Sequence, residues 1–156
     1  MLGHRQALVL KDHALRLGAD KALMESMAEG LQGRRGIRGL RLALAHADPR
    51  SESAGETLTR ELLIRLNLPM PEPQVAVETR AGRYRLDFAW KEKKVALEFD
   101  GKTKYFDYKP AAEVLYQERQ RENALTEDGW TFLRLKWADL FREHEFKARV
   151  LAALRW

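Results

Sequence analysis

Three acidic residues in one short stretch, Asp87, Glu98 and Asp100, followed closely by Lys102 and Lys104, are the side chains in this sequence best suited to chemistry. Carboxylates supply the oxygen ligands that a hard divalent cation, Mg²⁺ or Mn²⁺, prefers. Lysines just past them are suited to contact a scissile phosphate and to stabilise charge that develops on it. The 156 residues include no cysteine, which excludes thiol nucleophiles, Cys-ligated metal sites and redox motifs.

Positioning these groups falls to strands. Residues 74–79, 83–90 and 94–100 read as three short strands joined by turns at Ala81-Gly82 and around Glu92-Lys93, the pattern of a meander. Alternation puts Tyr84, Leu86, Phe88 and Trp90 on one face of the second strand, with Arg85, Asp87 and Ala89 on the other. In the third strand Val95, Leu97 and Phe99 share a face, and Ala96, Glu98 and Asp100 the opposite one. For the two apolar sets to share a side, an even-numbered residue must oppose an odd one. A turn centred on Glu92-Lys93 then sets Asp87 directly opposite Glu98, with Asp100 two residues further along the same face. Directly opposed side chains have Cβ atoms ~4.5 to 5.5 Å apart, and like charges there repel by about 1 kcal/mol in water and severalfold more where solvent is partly excluded. A divalent cation offsets this; so does a shared proton or a neighbouring Arg or Lys.

The surrounding elements follow from periodicity and breakers. Pro110 opens a helix reaching about Asp128, with Gly129 as its stop. Its inward stripe reads Ala111, Val114, Glu118, Arg121 and Leu125, so two charged groups fall where apolar ones belong. Glu118 and Arg121 are spaced to pair with each other, or Arg121 reaches the acidic face or a phosphate bound there. A fourth strand over 130–136 and a last amphipathic helix over 137–154 complete the chain. Ahead of the meander, Ser51 and Ser53 offer caps for a helix carrying Leu58, Leu62 and Leu63, which Pro69, Pro71 and Pro73 end. Glu56 fits a capping box with Ser53, or points toward the carboxylates.

Residues 1–50 read as helices broken at Gly18, Gly30 and Gly33. They hold nine Lys and Arg against five Asp and Glu, whereas the remainder is nearly balanced, 19 against 18. Arg34, Arg35, Arg38 and Arg41 crowd together there, a patch suited to a polyanion such as nucleic acid or simply to solvent. The expected organisation is a basic helical segment, 1–50, before an α/β domain, 51–156. No apolar run approaches the ~18 residues of a membrane span, and the first residues lack the order of a secretion signal, so the expected location is the cytoplasm.

The order helix, three-stranded meander, helix, strand, with Asp87, then Glu98-Phe99-Asp100-Gly101, Glu118-Arg119-Gln120-Arg121 and Gly129-Trp130-Thr131-Phe132-Leu133-Arg134, resembles the PD-(D/E)xK nuclease superfamily. Within it, the likeness is to the branch of the very-short-patch-repair endonucleases and to the nuclease-like domain of abortive-infection antitoxin-like proteins. It covers about residues 51–140. The resemblance implies a restriction-endonuclease-like core and Mg²⁺- or Mn²⁺-dependent hydrolysis of DNA phosphodiester bonds, in DNA repair or phage defence. It implies that Asp87 and Glu98 bind the metal and that Glu56 assists, directly or through a water; Asp100, on the same face, is expected to join them as a metal ligand. Leu86 stands where the superfamily name has Pro, and Asp100 where it has Lys, so the cation falls to Lys102 or Lys104. DNA contacts would come from Lys102, Lys104, Arg121 and the Arg34, Arg35, Arg38 and Arg41 patch. A homodimer and a toxin or defence-system partner are further expectations, and the alternative activity is that of an inactive nuclease-like DNA-binding or antitoxin-type module.

Overall fold

A computed structural model of the chain describes residues 3–101 and 111–155. The elements run α1 (His4–Arg16), α2 (Lys21–Glu29), α3 (Ile37–Ala45), α4 (Ala54–Arg65), β1 (Glu72–Thr79), β2 (Gly82–Trp90), β3 (Val95–Phe99), α5 (Ala111–Glu127), β4 (Thr131–Leu135) and α6 (Glu143–Leu154). They form two compact units, Met1–Arg65 and Leu66–Trp156. The helix that the sequence groups with the strands, α4, lies in the first of these.

In the first unit α1 packs against α3 and α4, and α2 against α3. Leu8, Leu15, Ala43 and Ala47 form its buried core. The α1 stripe that carries Leu8 and Leu15 also carries Asp12, which is buried. A buried carboxylate needs partners, and Asp12 has three. Its Oδ1 accepts from the Asp48 backbone N–H at 2.8 Å, its Oδ2 accepts from the Thr57 hydroxyl at 2.7 Å, and Arg60 donates to the same Oδ2. Arg60, also buried, donates on to the His46 carbonyl. One ion pair thus ties α1 to α4 and to the segment after α3. Sequence alone offered no sign of it, because the partners lie 48 positions apart.

The second unit is α/β, built on a four-stranded mixed open sheet in the order β1-β2-β3-β4. β1 and β2, and β2 and β3, pair antiparallel, while β3 and β4 pair parallel across the α5 crossover. The β2–β3 register pairs Phe88 with Leu97, Ala89 with Ala96 and Trp90 with Val95, as the alternation predicts. Leu125 of α5 joins Ala89, Ala96, Leu86, Val75 and Trp130 in one core. Gly129, at φ 86°, ends α5: its N–H bonds to Thr126 O at 2.9 Å and the next N–H, of Trp130, to Leu125 O at 3.0 Å. That double closure needs the left-handed conformation glycine adopts freely, and it lets Trp130 fold back on Leu125. β4 then starts in register with β3.

The last helix is interrupted where 137–154 was expected to be continuous. Trp137–Phe141 form a 3₁₀ turn, fastened by the Asp139 carboxylate accepting from Lys136 N–H at 2.8 Å, and α6 begins only at Glu143. Lys136 precedes the turn, so its N–H has no helical acceptor and the Asp139 carboxylate caps it.

Replacing Asp12 by Ala leaves the Arg60 charge buried without its carboxylate. The expected loss is roughly 3–5 kcal/mol from the first unit, read as an earlier urea transition by circular dichroism; a loss below about 1 kcal/mol would contradict this reading of the network.

Candidate active site

The acidic residues converge where the β2–β3 ladder stops. The ladder's outermost pair is Phe88 with Leu97, and one step beyond it lie Asp87 and Glu98, both half-buried. The Phe99 N–H donates to Asp87 Oδ2 at 2.9 Å, so the Asp87 side chain reaches across to the neighbouring strand and is held there. Glu98 stands in register with Arg134 of β4. Asp100 follows the strand, exposed, its N–H bonded to the Leu135 carbonyl at 2.7 Å. Asp87, Glu98, Asp100, Glu118, Arg121 and Arg134 line one open cavity of about 340 Å³.

Arg121 is the principal counter-charge. Its side chain is only 20% exposed and that of Glu98 only 12%, whereas Glu118 is 47% exposed. The guanidinium reaches both Glu98 oxygens, by a short bond from Nη2 to Oε1 and a longer one of 3.5 Å from Nη1 to Oε2. It also donates to Glu118 Oε1 at 3.0 Å and to the Arg85 carbonyl at 3.1 Å. Burial pulls the Arg121 pKa down, but the Glu98 and Glu118 carboxylates outweigh it and leave the pKa above its ordinary value. Of the two roles open to Arg121 from sequence, pairing along its helix or reaching the acidic face, it performs both. Glu118, by contrast, is not inward-facing as its place in the stripe suggests, because it lies toward solvent at the cavity edge.

Arg134 went unassigned from sequence, although its parity was a readable signal: two residues after Phe132 in a strand parallel to β3, it falls beside Glu98. It pairs with Glu122 at 2.9 Å and lies over the Phe132 ring, 5.6 Å from the centroid. The cavity lining therefore holds four carboxylates against two guanidiniums, and that surplus of negative charge suits a cation. All the available donors are oxygens, which fits Mg²⁺ or Mn²⁺ chemically. Among the described residues, however, no group of three or more acidic or His side chains is close enough to hold a metal ion. Asp87 and Glu98 are carboxylate donors of the chemical type Mg²⁺ takes, and Mg²⁺ commonly draws its remaining ligands from water and substrate.

Glu56 belongs to the first unit, where it is buried and its carboxylate accepts from the Ser53 hydroxyl at 2.8 Å and the Glu52 N–H at 2.9 Å, a capping arrangement. Arg34, Arg38 and Arg41 line a cavity of about 540 Å³ at the start of α3, and Arg35 is exposed beside them. Lys102 and Lys104 lie outside the described residues.

No protein-family description matches the chain, and no solved structure matches it. It is similar to two Mycobacterium tuberculosis proteins, described as uncharacterized, from strains CDC 1551 / Oshkosh and ATCC 25618 / H37Rv. Each is 32% identical over 140 residues, covering 88% of this chain and 50% of the relative. The chain thus spans about half the length of the curated relatives it matches. No helix among the described residues is long and apolar enough to cross a membrane.

The Asp87–Phe99 bond separates two substitutions. Asp87→Asn keeps an acceptor oxygen and is expected to cost less than about 1 kcal/mol, whereas Asp87→Ala strands the Phe99 N–H and costs about 1–3 kcal/mol. Chemical denaturation of both variants measures the difference; equal costs would show that the bond does not organise the strand end.

Proposed function

We propose that the second unit is a metal-dependent endonuclease domain of the PD-(D/E)xK type, hydrolysing phosphodiester bonds in DNA. The observation that carries this reading is the meeting of Asp87 and Glu98 at the end of an antiparallel ladder, in a cavity that also holds arginines. The order of the sheet, a three-stranded meander followed by a parallel strand through a helical crossover, supports the restriction-endonuclease-like core that the sequence resembles.

Asp87 and Glu98 would hold the cation, with Asp100 at the rim. Bound there, Mg²⁺ or Mn²⁺ supplies Lewis acidity and makes water a better nucleophile near neutral pH. The chain's own residues do the rest. The Phe99 N–H fixes the Asp87 carboxylate, and Arg121 and Arg134 present guanidiniums suited to a phosphate's oxygens and to the charge gained during hydrolysis. Lys102 and Lys104 are proposed to help stabilise that charge. The Arg34, Arg35, Arg38 and Arg41 patch suits duplex phosphates, whose neutralisation is independent of base sequence.

A second reading, a DNA-binding or antitoxin-type module without turnover, is favoured by one observation: Glu98 already has a resident counter-charge in Arg121. A plasmid-nicking assay separates the two. The wild-type chain is expected to nick supercoiled DNA with Mg²⁺ or Mn²⁺ and not with EDTA, and Glu98→Ala to lose at least about 100-fold of the rate, the scale on which a preorganised charged group acts. Equal nicking by both proteins would remove the enzyme reading, and DNA binding without nicking by either would favour the module.

A further inference from the structure

We propose that Arg121 is a displaceable counter-cation: it holds Glu98 while the pocket is empty of metal and yields that carboxylate to a divalent ion, keeping its guanidinium in the cavity for a phosphate. This rests on the metal-site reading above and adds that metal and Arg121 compete for one side chain.

Three features carry it. Arg121 contacts both oxygens of Glu98, so a metal ion cannot use that carboxylate fully while the guanidinium stays. Glu98 is nonetheless only one of three acceptors. Glu118 Oε1 at 3.0 Å and the Arg85 carbonyl at 3.1 Å remain when it is released, so displacement costs a fraction of the guanidinium's hydrogen bonding rather than all of it. Finally, the helix need not move. Leu125, one turn further along α5, is fully buried in the core with Ala89 and Ala96, which anchors the backbone and leaves the change to a side-chain rotation.

The electrostatics run in the same direction. With four carboxylates and two guanidiniums in the lining, a divalent ion is attracted even with Arg121 in place. Once the ion sits on Glu98, like charge drives the guanidinium away from it and toward exposed Glu118. A phosphate entering beside the ion then meets a planar, bidentate donor already within the cavity. The metal-free protein is meanwhile spared the repulsion between Asp87 and Glu98.

Calorimetric Mg²⁺ titration of the full chain tests this without reference to turnover. Arg121→Gln is expected to bind Mg²⁺ about threefold to tenfold more tightly than wild type, because the competitor is gone. Equal or weaker binding would overturn the proposal and leave Arg121 as a scaffold for Glu98. The wild-type protein gives a second readout that does not depend on the variant's folding: the Arg121 guanidinium NMR resonance is expected to shift with the midpoint of the calorimetric curve. Mg²⁺ uptake with a fixed resonance overturns the displacement alone, whereas no uptake by either protein overturns the displacement and the metal site together.

Discussion

Two carboxylates on adjacent antiparallel strands repel each other in a shared, half-buried cavity unless something positive stands between or beside them. In this protein that constraint arises from the β2–β3 register, which brings Asp87 and Glu98 to consecutive positions past the last ladder pair. Everything around them answers it. The Phe99 N–H fixes one carboxylate, Arg121 neutralises the other, and α5 is anchored through Leu125 so that Arg121 arrives at the right height. The Schellman closure at Gly129 sets where β4 begins and so puts Arg134 beside Glu98.

The compensation is partial, and the remainder is what gives the site its chemical character. A fully paired set of charges would be a structural ion-pair network, of the kind formed in the first unit by Asp12 and Arg60, both of which are buried. The cavity of the second unit differs: it is open, its carboxylates outnumber its guanidiniums, and the pair at its centre shares its cation with exposed Glu118. One network holds helices together, and the other leaves negative charge facing solvent, where an ion and a phosphate can approach.

The sheet was legible because strand alternation is a strong constraint. Placing Phe88 and Trp90 on the same side as Val95 and Leu97 fixes the register that brings Asp87 and Glu98 together past the last ladder pair, and glycines at 18 and 129 follow helix ends with positive φ. What was not legible depends on tertiary distance or has no local signal. Asp12 looks like an error in an apolar stripe until Arg60 is brought to it by folding. Glu118 shares the helical spacing of Arg121 yet faces solvent, as do residues 115–120 of α5, whereas Ala124 and Leu125 are buried. The break at Arg142 has no proline or glycine to announce it.

The proposed cation site on the Asp87 and Glu98 carboxylates, guarded by Arg121, is open to a structural test. Crystals of the protein soaked in Mn²⁺ test it most directly, through anomalous scattering. A single strong peak beside Asp87 and Glu98 is expected, with the Arg121 guanidinium withdrawn from Glu98. A pocket without manganese, and with Arg121 still seated on Glu98, would contradict it.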